Sequence, residues 1–303
     1  MIVPCYEYGR FLGECVESVL AQEGVQVRVL VIDDASPDET AEVAARLAAR
    51  SNRVLFRRHE VNLGHIATYN EGLAWAGGDY ILLLDADDVL VPGALLRATR
   101  LMDGHPEVVL TYGRPRDTQD PGREVFAMRA DSAWRIFGGL EWIEGVCSTV
   151  RNPVSQATAV VRTSAQKVVG GYRPELPHAG DMEMWLRLAA HGSVGFIEAD
   201  QACYRWHGAN MQYRYLGLSD LRQREACFDM FFAEYERRLA GGRGLRRLAF
   251  RHIAVSALRG AVGNLRRGQV RKGMGFLALG LSAVGKLTCA SPCPSPPGST
   301  GDA

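Results

Sequence analysis

A chain of 303 residues that is 47% apolar suffices for one large domain or two small ones with a packed core, which excludes disorder over most of its length. Lys and Arg number 35 against 34 Asp and Glu, and so even a balance excludes a protein that coats nucleic acid through a general basic excess. The balance is uneven along the chain, however: residues 241–303 carry +9 and the first 240 carry −8.

The seven cysteines (Cys5, Cys15, Cys147, Cys203, Cys227, Cys289 and Cys293) form no C-x-x-C pair and stand at no zinc spacing from histidine, so neither a disulfide framework nor a zinc site is expected. The N-terminal residues lack the basic flank and long apolar stretch of a signal peptide, and the expected compartment is cytoplasmic. The longest mainly apolar uncharged run, residues 273–285, has 13 residues, where a bilayer span needs roughly 20.

In chain order, residues 2–4 predict a short first strand and 11–22 a helix with Phe11, Cys15, Val16 and Val19 on one face. Residues 25–32 (VQVRVLVI) read as a second strand, 37–50 as a helix opened by Pro37 and acids, and 53–56 as a third strand. A helix over 65–76, an apolar strand over 80–84, a helix from Pro92 and a strand over 108–112 follow. This alternation signifies βαβ units and a mostly parallel sheet. Residues 114–129, with Pro115, Pro121 and Gly122, predict a loop. Beyond it the pattern predicts a helix over 132–146, a strand over 154–162, a helix over 181–190 and short strands over 194–197 and 202–204. Residues 218–284 read as helical, and the Pro-rich segment from Ser291 as disordered.

Ligands of an open parallel sheet bind beyond the carboxyl ends of its strands. Two acidic clusters stand there: Asp33-Asp34 after the second strand, and Asp85, Asp87 and Asp88 after the apolar run 80–84. Three carboxylates within four residues repel one another, and a hard divalent cation shared with a phosphate relieves the repulsion. Asp88 alone reads better as a cap for the helix near Pro92. The order of acids and glycine excludes an EF-hand.

The sequence resembles the family-2 glycosyltransferases, inverting enzymes of the nucleotide-diphospho-sugar transferase fold. The resemblance rests on IVPCYEYGRFL (2–12), VLVIDDASPDET (29–40), NLGHIATYNEG (62–72), GDYILLLDADD (78–88), GDMEMWLRLA (180–189) and YRWHGANM (204–211), which occur in the family's order. It implies a GT-A-type α/β fold, a Rossmann-like mixed sheet flanked by helices, with a C-terminal helical extension. The resemblance divides residues 1–211 into a nucleotide-sugar half (1–115) and an acceptor half (116–211), and the charge and composition beyond it predict a basic helical extension (212–288) and a disordered tail (289–303).

The resemblance also implies roles. Pro4, Tyr6 and Glu7 fall on the loop beside the nucleotide base, where an aromatic ring is a suitable stacking face. Asp34 matches the acid that accepts a hydrogen bond from the base, which suits the N3–H of uracil or thymine. Asn62 and Gly64 match the segment beside the nucleotide. Asp85 and Asp87 match the D-x-D motif, Asp87 for a Mg²⁺ or Mn²⁺ ion and Asp85 for ribose or metal, the ion neutralising the departing diphosphate. His207 is a further candidate ligand.

Inverting transfer needs a carboxylate opposite the leaving group to take the acceptor proton. Asp181 stands at the family's position for that base, Glu183 is the reserve, and Trp185 one turn on is a candidate wall of the acceptor pocket. Two departures stand out: Glu7 where the family usually has Asn, and Tyr69 where it often has Arg. His65 lies in the nucleotide-side segment, whereas His59, His105, His178, His191 and His252 show no partner pattern and read as structural. Cys5 reads as a packed residue.

The expected reaction is sugar transfer from a nucleoside diphosphate donor, UDP- or dTDP-sugar favoured, to a glycan, lipid-linked or small-molecule hydroxyl. The basic amphipathic tail fits either an anionic leaflet or a solvated helical hairpin. Two rivals are a haloacid-dehalogenase-type phosphohydrolase, for which LLLDADDV fits the strand motif, and a non-catalytic sugar-nucleotide binder.

Overall fold

Three apolar runs form the parallel strands β1 (Ile2–Cys5), β2 (Val29–Asp33) and β3 (Val54–Arg58), ordered β1-β2-β3. β1 and β2 are buried along their whole length, whereas β3 exposes Leu55, Arg57 and Arg58; an inner strand covered on both faces has no polar side. The computed structural model describes residues 1–121, 132–208 and 215–288. Six further strands, β4 (Tyr80–Ile81), β5 (Val89–Leu90), β6 (Val108–Thr118), β7 (Trp134–Phe137), β8 (Val160–Arg162) and β9 (Ser193–Arg205), form a mixed sheet ordered β4-β8-β6-β9-β5, with β7 on β9. Residues 82–84 join the two sheets: the Ile2 N–H reaches the Leu82 carbonyl at 3.0 Å and the Leu84 N–H returns to Ile2 at 2.9 Å. Asp85 to Asp88 therefore leave the sheet beside the carboxyl end of β1.

Helices α1 (Gly9–Leu20), α2 (Thr40–Arg50), α3 (His65–Trp75) and α4 (Ala94–Gly104) follow strands as the alternation predicts. α1 buries Leu12, Cys15, Val16 and Val19 in the core with Val29, Val31 and Leu84. Phe11, expected on that face, is only half-buried. Asp38 fastens the ends of two helices, accepting the Gly9 N–H at 3.2 Å and the Thr40 N–H at 3.1 Å.

Five expectations change. The mostly parallel arrangement holds for β1 to β3, whereas in the six-stranded sheet only β6 and β9 run parallel. Of the strand expected over 154–162 only Val160 to Arg162 pair. Residues 132–146 are not one helix: Trp134 to Phe137 pair antiparallel along β9, and α5 (Gly139–Thr149) begins only afterwards. Gly139 makes the break, because a Cβ there would lie 1.9 Å from the Ala189 carbonyl oxygen, so this approach of two backbones admits glycine alone. The strand at 108 continues through the expected loop to Thr118, and the two short strands are the single long β9. Those two strands pair with register shifts at Gly113, Arg114 and Pro115, where a residue without an N–H is tolerated. After β8 come α6 (Thr163–Val169) and α7 (Gly180–Ala189).

The chain divides into two units, residues 1–139 with 152–210, and residues 140–151 with 211–303. In the second, α8 (Leu218–Tyr235), α9 (Gly242–Arg266) and α10 (Val270–Thr288) occupy the expected helical region. Phe228, Phe231, Phe232, Phe250 and Ile253 are fully buried there. Ser291 and the Pro-rich segment lie outside the described residues. Among the described residues no helix is long and apolar enough to cross a membrane.

Candidate active site

Two groups of predicted residues meet at the carboxyl ends of the strands. In the first, Asp34 is buried and its carboxylate organises the loop between β3 and α3. Its Oδ1 accepts the Leu63 N–H at 2.8 Å, and its Oδ2 the Gly64 N–H at 2.8 Å. Gly64 has φ +85°, a conformation that favours glycine, and its N–H is shared with Asn62 Oδ1 at 3.1 Å. Pro4 is buried in β1, while Tyr6 is 42% exposed just beyond it. The Glu7 N–H donates to Ser36 Oγ at 3.0 Å, tying this loop to the turn that carries Asp34. Glu7 itself has φ +60°, where asparagine is tolerated better than a longer side chain; the departure at this position thus carries backbone strain.

In the second group, Asp85 and Asp87 lie close enough to disturb each other, and Asp181 from α7 also reaches Asp85 electrostatically. Burial, then the Asp87 charge, pushes the Asp85 carboxyl up to about 7. Asp87 Oδ2 lies 2.9 Å from His207 Nε2, and the His207 ring packs against Tyr8 and Phe11, with centroids 5.3 Å away in each case. Asp88 does not cap α4: its Oδ1 accepts the Arg205 N–H at 3.1 Å, while burial and its acidic neighbours raise its carboxyl well above the usual range. Arg205 extends this brace, donating to the Asp87 carbonyl at 2.9 Å and pairing with Glu14.

Asp181 stands in the first turn of α7, whose cap is Ala179. Its Oδ2 accepts from Asn152 Nδ2 at 2.8 Å and its Oδ1 from the Met182 N–H at 2.7 Å. Burial raises its carboxyl to about 6. The reserve base is otherwise employed: Glu183 is fully buried and pairs with Arg187 and Arg173, each at 2.9 Å. Trp185 is 2% exposed and lines a small cavity with Leu73, Ile81 and Tyr172, which makes it a core residue rather than a wall of an acceptor pocket. Cys5 is buried, and burial pushes its thiol up to about 12, far from a nucleophile's range.

Further residues surround these groups, some singled out in the sequence and some not. Tyr69 directs its hydroxyl to Asp85 Oδ1 at 3.1 Å, so the residue that replaces an arginine serves the acidic cluster. Tyr8 lies near Asp85 and Asp87, and burial with those charges raises its hydroxyl. His59 lies against Asp34 and His65 against the Pro177 carbonyl. For His59 and Asn152 there was no signal, since their partners lie 25 and 29 residues away.

The sequence pattern described as Glycosyl transferase family 2 matches residues 1–160, and the chain belongs to that family. The protein MT1568 of Mycobacterium tuberculosis is 30% identical over 204 residues, which cover 64% of this chain and 63% of that protein; the match thus spans less than two thirds of that relative. Among solved structures, S. aureus TarS in complex with UDP-GlcNAc superposes with a TM-score of 0.62 at 16% identity, covering 94% of this chain and 90% of that one. The mannosyltransferase PcManGT from Pyrobaculum calidifontis, in complex with GDP-Man and Mn²⁺, gives 0.58 at 15% identity, covering 94% and 85%. Both likenesses establish a GT-A-type fold.

Proposed function

We propose that the protein transfers a sugar from a nucleoside diphosphate donor, UDP- or dTDP-linked in preference, to an acceptor hydroxyl with inversion, and that Asp181 is the base. The observation that carries this reading is that Asp181, 96 residues further along the chain, is near enough for its charge to act on Asp85. Burial leads in raising both, and a base near 6 is half-matched to neutral pH. In the step, the acceptor O–H gives its proton to Asp181 as its oxygen bonds to the anomeric carbon. The bond from that carbon to the diphosphate breaks, and the nucleoside diphosphate leaves with the electron pair.

The acidic cluster fits a hard divalent cation. Asp85 and Asp87 supply oxygen donors whose mutual repulsion such an ion relieves. Mg²⁺ and Mn²⁺ take one or two carboxylates and complete their shell with phosphate and water. Asp87 and His207 would hold it, with Asp85 beside them, and when bound it supplies charge neutralisation for the leaving diphosphate. The Mn²⁺ in the PcManGT complex supports this reading.

Tyr6, Glu7, Asp34, Asn62 and Gly64 would form the base side. Against a dehalogenase-type phosphohydrolase stands the position of Asp85 after the fourth strand in chain order rather than the first.

The helical unit supports a finer proposal about the partner. Val255, Leu258, Val262 and Leu265 are exposed on α9 and recur at three- and four-residue steps, which places them on one face. Residues 242–288 contain no acid, and Arg251, Arg259 and Arg266 stand exposed beside that stripe. An apolar face flanked by uncompensated arginines suits an anionic lipid surface, as an enzyme with a lipid-linked acceptor would need.

The direct test is calorimetric titration of UDP, dTDP, GDP and ADP with and without Mn²⁺, on the wild type and Asp87→Ala. Metal-dependent binding of UDP or dTDP that Asp87→Ala abolishes is expected. Binding of no nucleotide overturns the reading.

A further inference from the structure

Both ring nitrogens of His59 face carboxylates: Nδ1 is 2.7 Å from Oδ1 of Asp34, and Nε2 is 2.7 Å from Oε2 of Glu71. A neutral imidazole has one N–H, so one of these contacts would set a ring lone pair against a carboxylate oxygen. Only the doubly protonated ring donates to both. Just 10% of the side chain is exposed, so water does not screen the arrangement.

The charges around the ring come from every element packed on it. Asp34 leaves β2, and Glu71 stands on α3 with Arg57 of β3 on its other oxygen at 3.0 Å. Asp33, whose carbonyl takes the His59 N–H at 2.9 Å, pairs with Arg58 at 3.2 Å. His65 feels the Asp34 charge from the start of α3. Burial opposes the charge on His59, but hydrogen bonds to Asp34 and Glu71 outweigh it and hold the ring's pKa above the ordinary histidine value.

The consequence falls on Asp34. Its Oδ1 receives His59 and the Leu63 N–H, and its Oδ2 receives the Gly64 N–H, leaving Oδ2 one acceptor position. We propose that His59 is the positioning residue of the nucleotide-base subsite: clamped between Asp34 and Glu71 as an imidazolium, it fixes Asp34 as a carboxylate with one acceptor position left on Oδ2. This rests on the donor site proposed above. A carboxylate so held selects bases that present a ring N–H (uracil, thymine or guanine) over adenine and cytosine, whose matching ring nitrogen is an acceptor. Loss of the ring proton breaks one of the two contacts and releases the loop from 59 to 64, so nucleotide affinity falls as pH rises.

Two measurements test the proposal. Nitrogen-15 NMR of histidine-labelled protein reads the ring directly, and both nitrogens of His59 are expected at imidazolium shifts at about pH 7; a neutral ring overturns the proposal whether or not any nucleotide binds. Calorimetric titration of UDP with Mg²⁺ between about pH 6 and about pH 9 then follows the wild type, His59→Gln and Glu71→Gln. Wild-type affinity should fall about tenfold over the range, and Glu71→Gln should move the midpoint to lower pH. His59→Gln should bind about tenfold more weakly at the low end and lose the pH dependence. CDP and ADP should bind more weakly than UDP throughout.

UDP binding that is insensitive to pH and to both substitutions sinks this proposal while leaving the donor site standing. No UDP binding to the wild type at any pH, with an imidazolium in the spectrum, sinks the donor site and this inference together. If His59→Gln does not fold, the midpoint in Glu71→Gln decides alone.

Discussion

Asn152 hands a side-chain N–H to Oδ2 of Asp181 at 2.8 Å while the Met182 N–H holds Oδ1 at 2.7 Å. Both bonds favour the charged carboxylate and fix its plane, whereas burial opposes them and brings the group to about 6. Replacing Asp181 by Asn should cut turnover by roughly 10² to 10⁴ with donor affinity unchanged. Replacing Asn152 by Ala should cut it about tenfold and move the acid limb of kcat/KM to higher pH, because a donor to the charged form is lost. Steady-state rates across pH provide the check, and normal turnover by Asp181→Asn would reject its role.

The Asp85 carboxyl, at about 7 in the folded chain, lies above its unfolded value of about 4. Between those values the native state binds more protons than the unfolded one, so stability at this site is lost as pH rises from about 4 to about 7. Asp88 works in the same direction. A cation that neutralises the cluster should therefore raise Tm more at about pH 8 than at about pH 5, an effect that Asp87→Ala removes. Thermal unfolding with Mn²⁺ and with chelator measures it; an equal shift at both pH values would show that the ion binds elsewhere.

The parallel sheet of β1 to β3 was legible because its covered strands are short apolar runs, each followed by an amphipathic run, as Val29 to Asp33 and α2 illustrate. What escaped depended on neighbours distant in sequence. Nothing local to Trp134 shows that β9 lies beside it, and Gly139 reveals its purpose only against the Ala189 carbonyl. The acidic residues were legible by position after strands. Their settings were not: that Glu183 is locked between two guanidiniums and Trp185 packed inside the core follows from burial, which a helical face near a site does not disclose. Likewise the pattern placed Asp34 but gave no sign of the ring that holds it.

Glu7 stands at φ +60° with its N–H on Ser36 Oγ. A non-glycine residue in this region costs about 1–2 kcal/mol, and asparagine relieves part of that. Glu7→Asn should thus stabilise the folded chain by about 0.5–1 kcal/mol, seen as a higher urea midpoint with an unchanged slope. A lower midpoint would mean that the Glu7 carboxylate contributes more than its backbone costs.

The exposed stripe on α9 lies roughly a third of a turn round from the buried one formed by Phe250, Ile253, Ala257 and Ala261, and Leu258 and Arg259 are both exposed, so changes at these two positions remove no buried contact. Each basic side chain near an anionic surface adds about 1 kcal/mol of attraction, and reversing one charge replaces attraction with repulsion. Arg259→Glu should therefore weaken co-sedimentation with phosphatidylglycerol vesicles about tenfold or more, and raised salt should weaken the wild type similarly. Leu258→Asp, at a side chain 56% exposed, should lower binding by removing the apolar contact even at low salt. Wild-type binding that is equal on neutral phosphatidylcholine vesicles would remove the arginines from the argument. No binding to either, with concentration-dependent self-association that Leu258→Asp abolishes, would assign the stripe to a second copy of the chain instead.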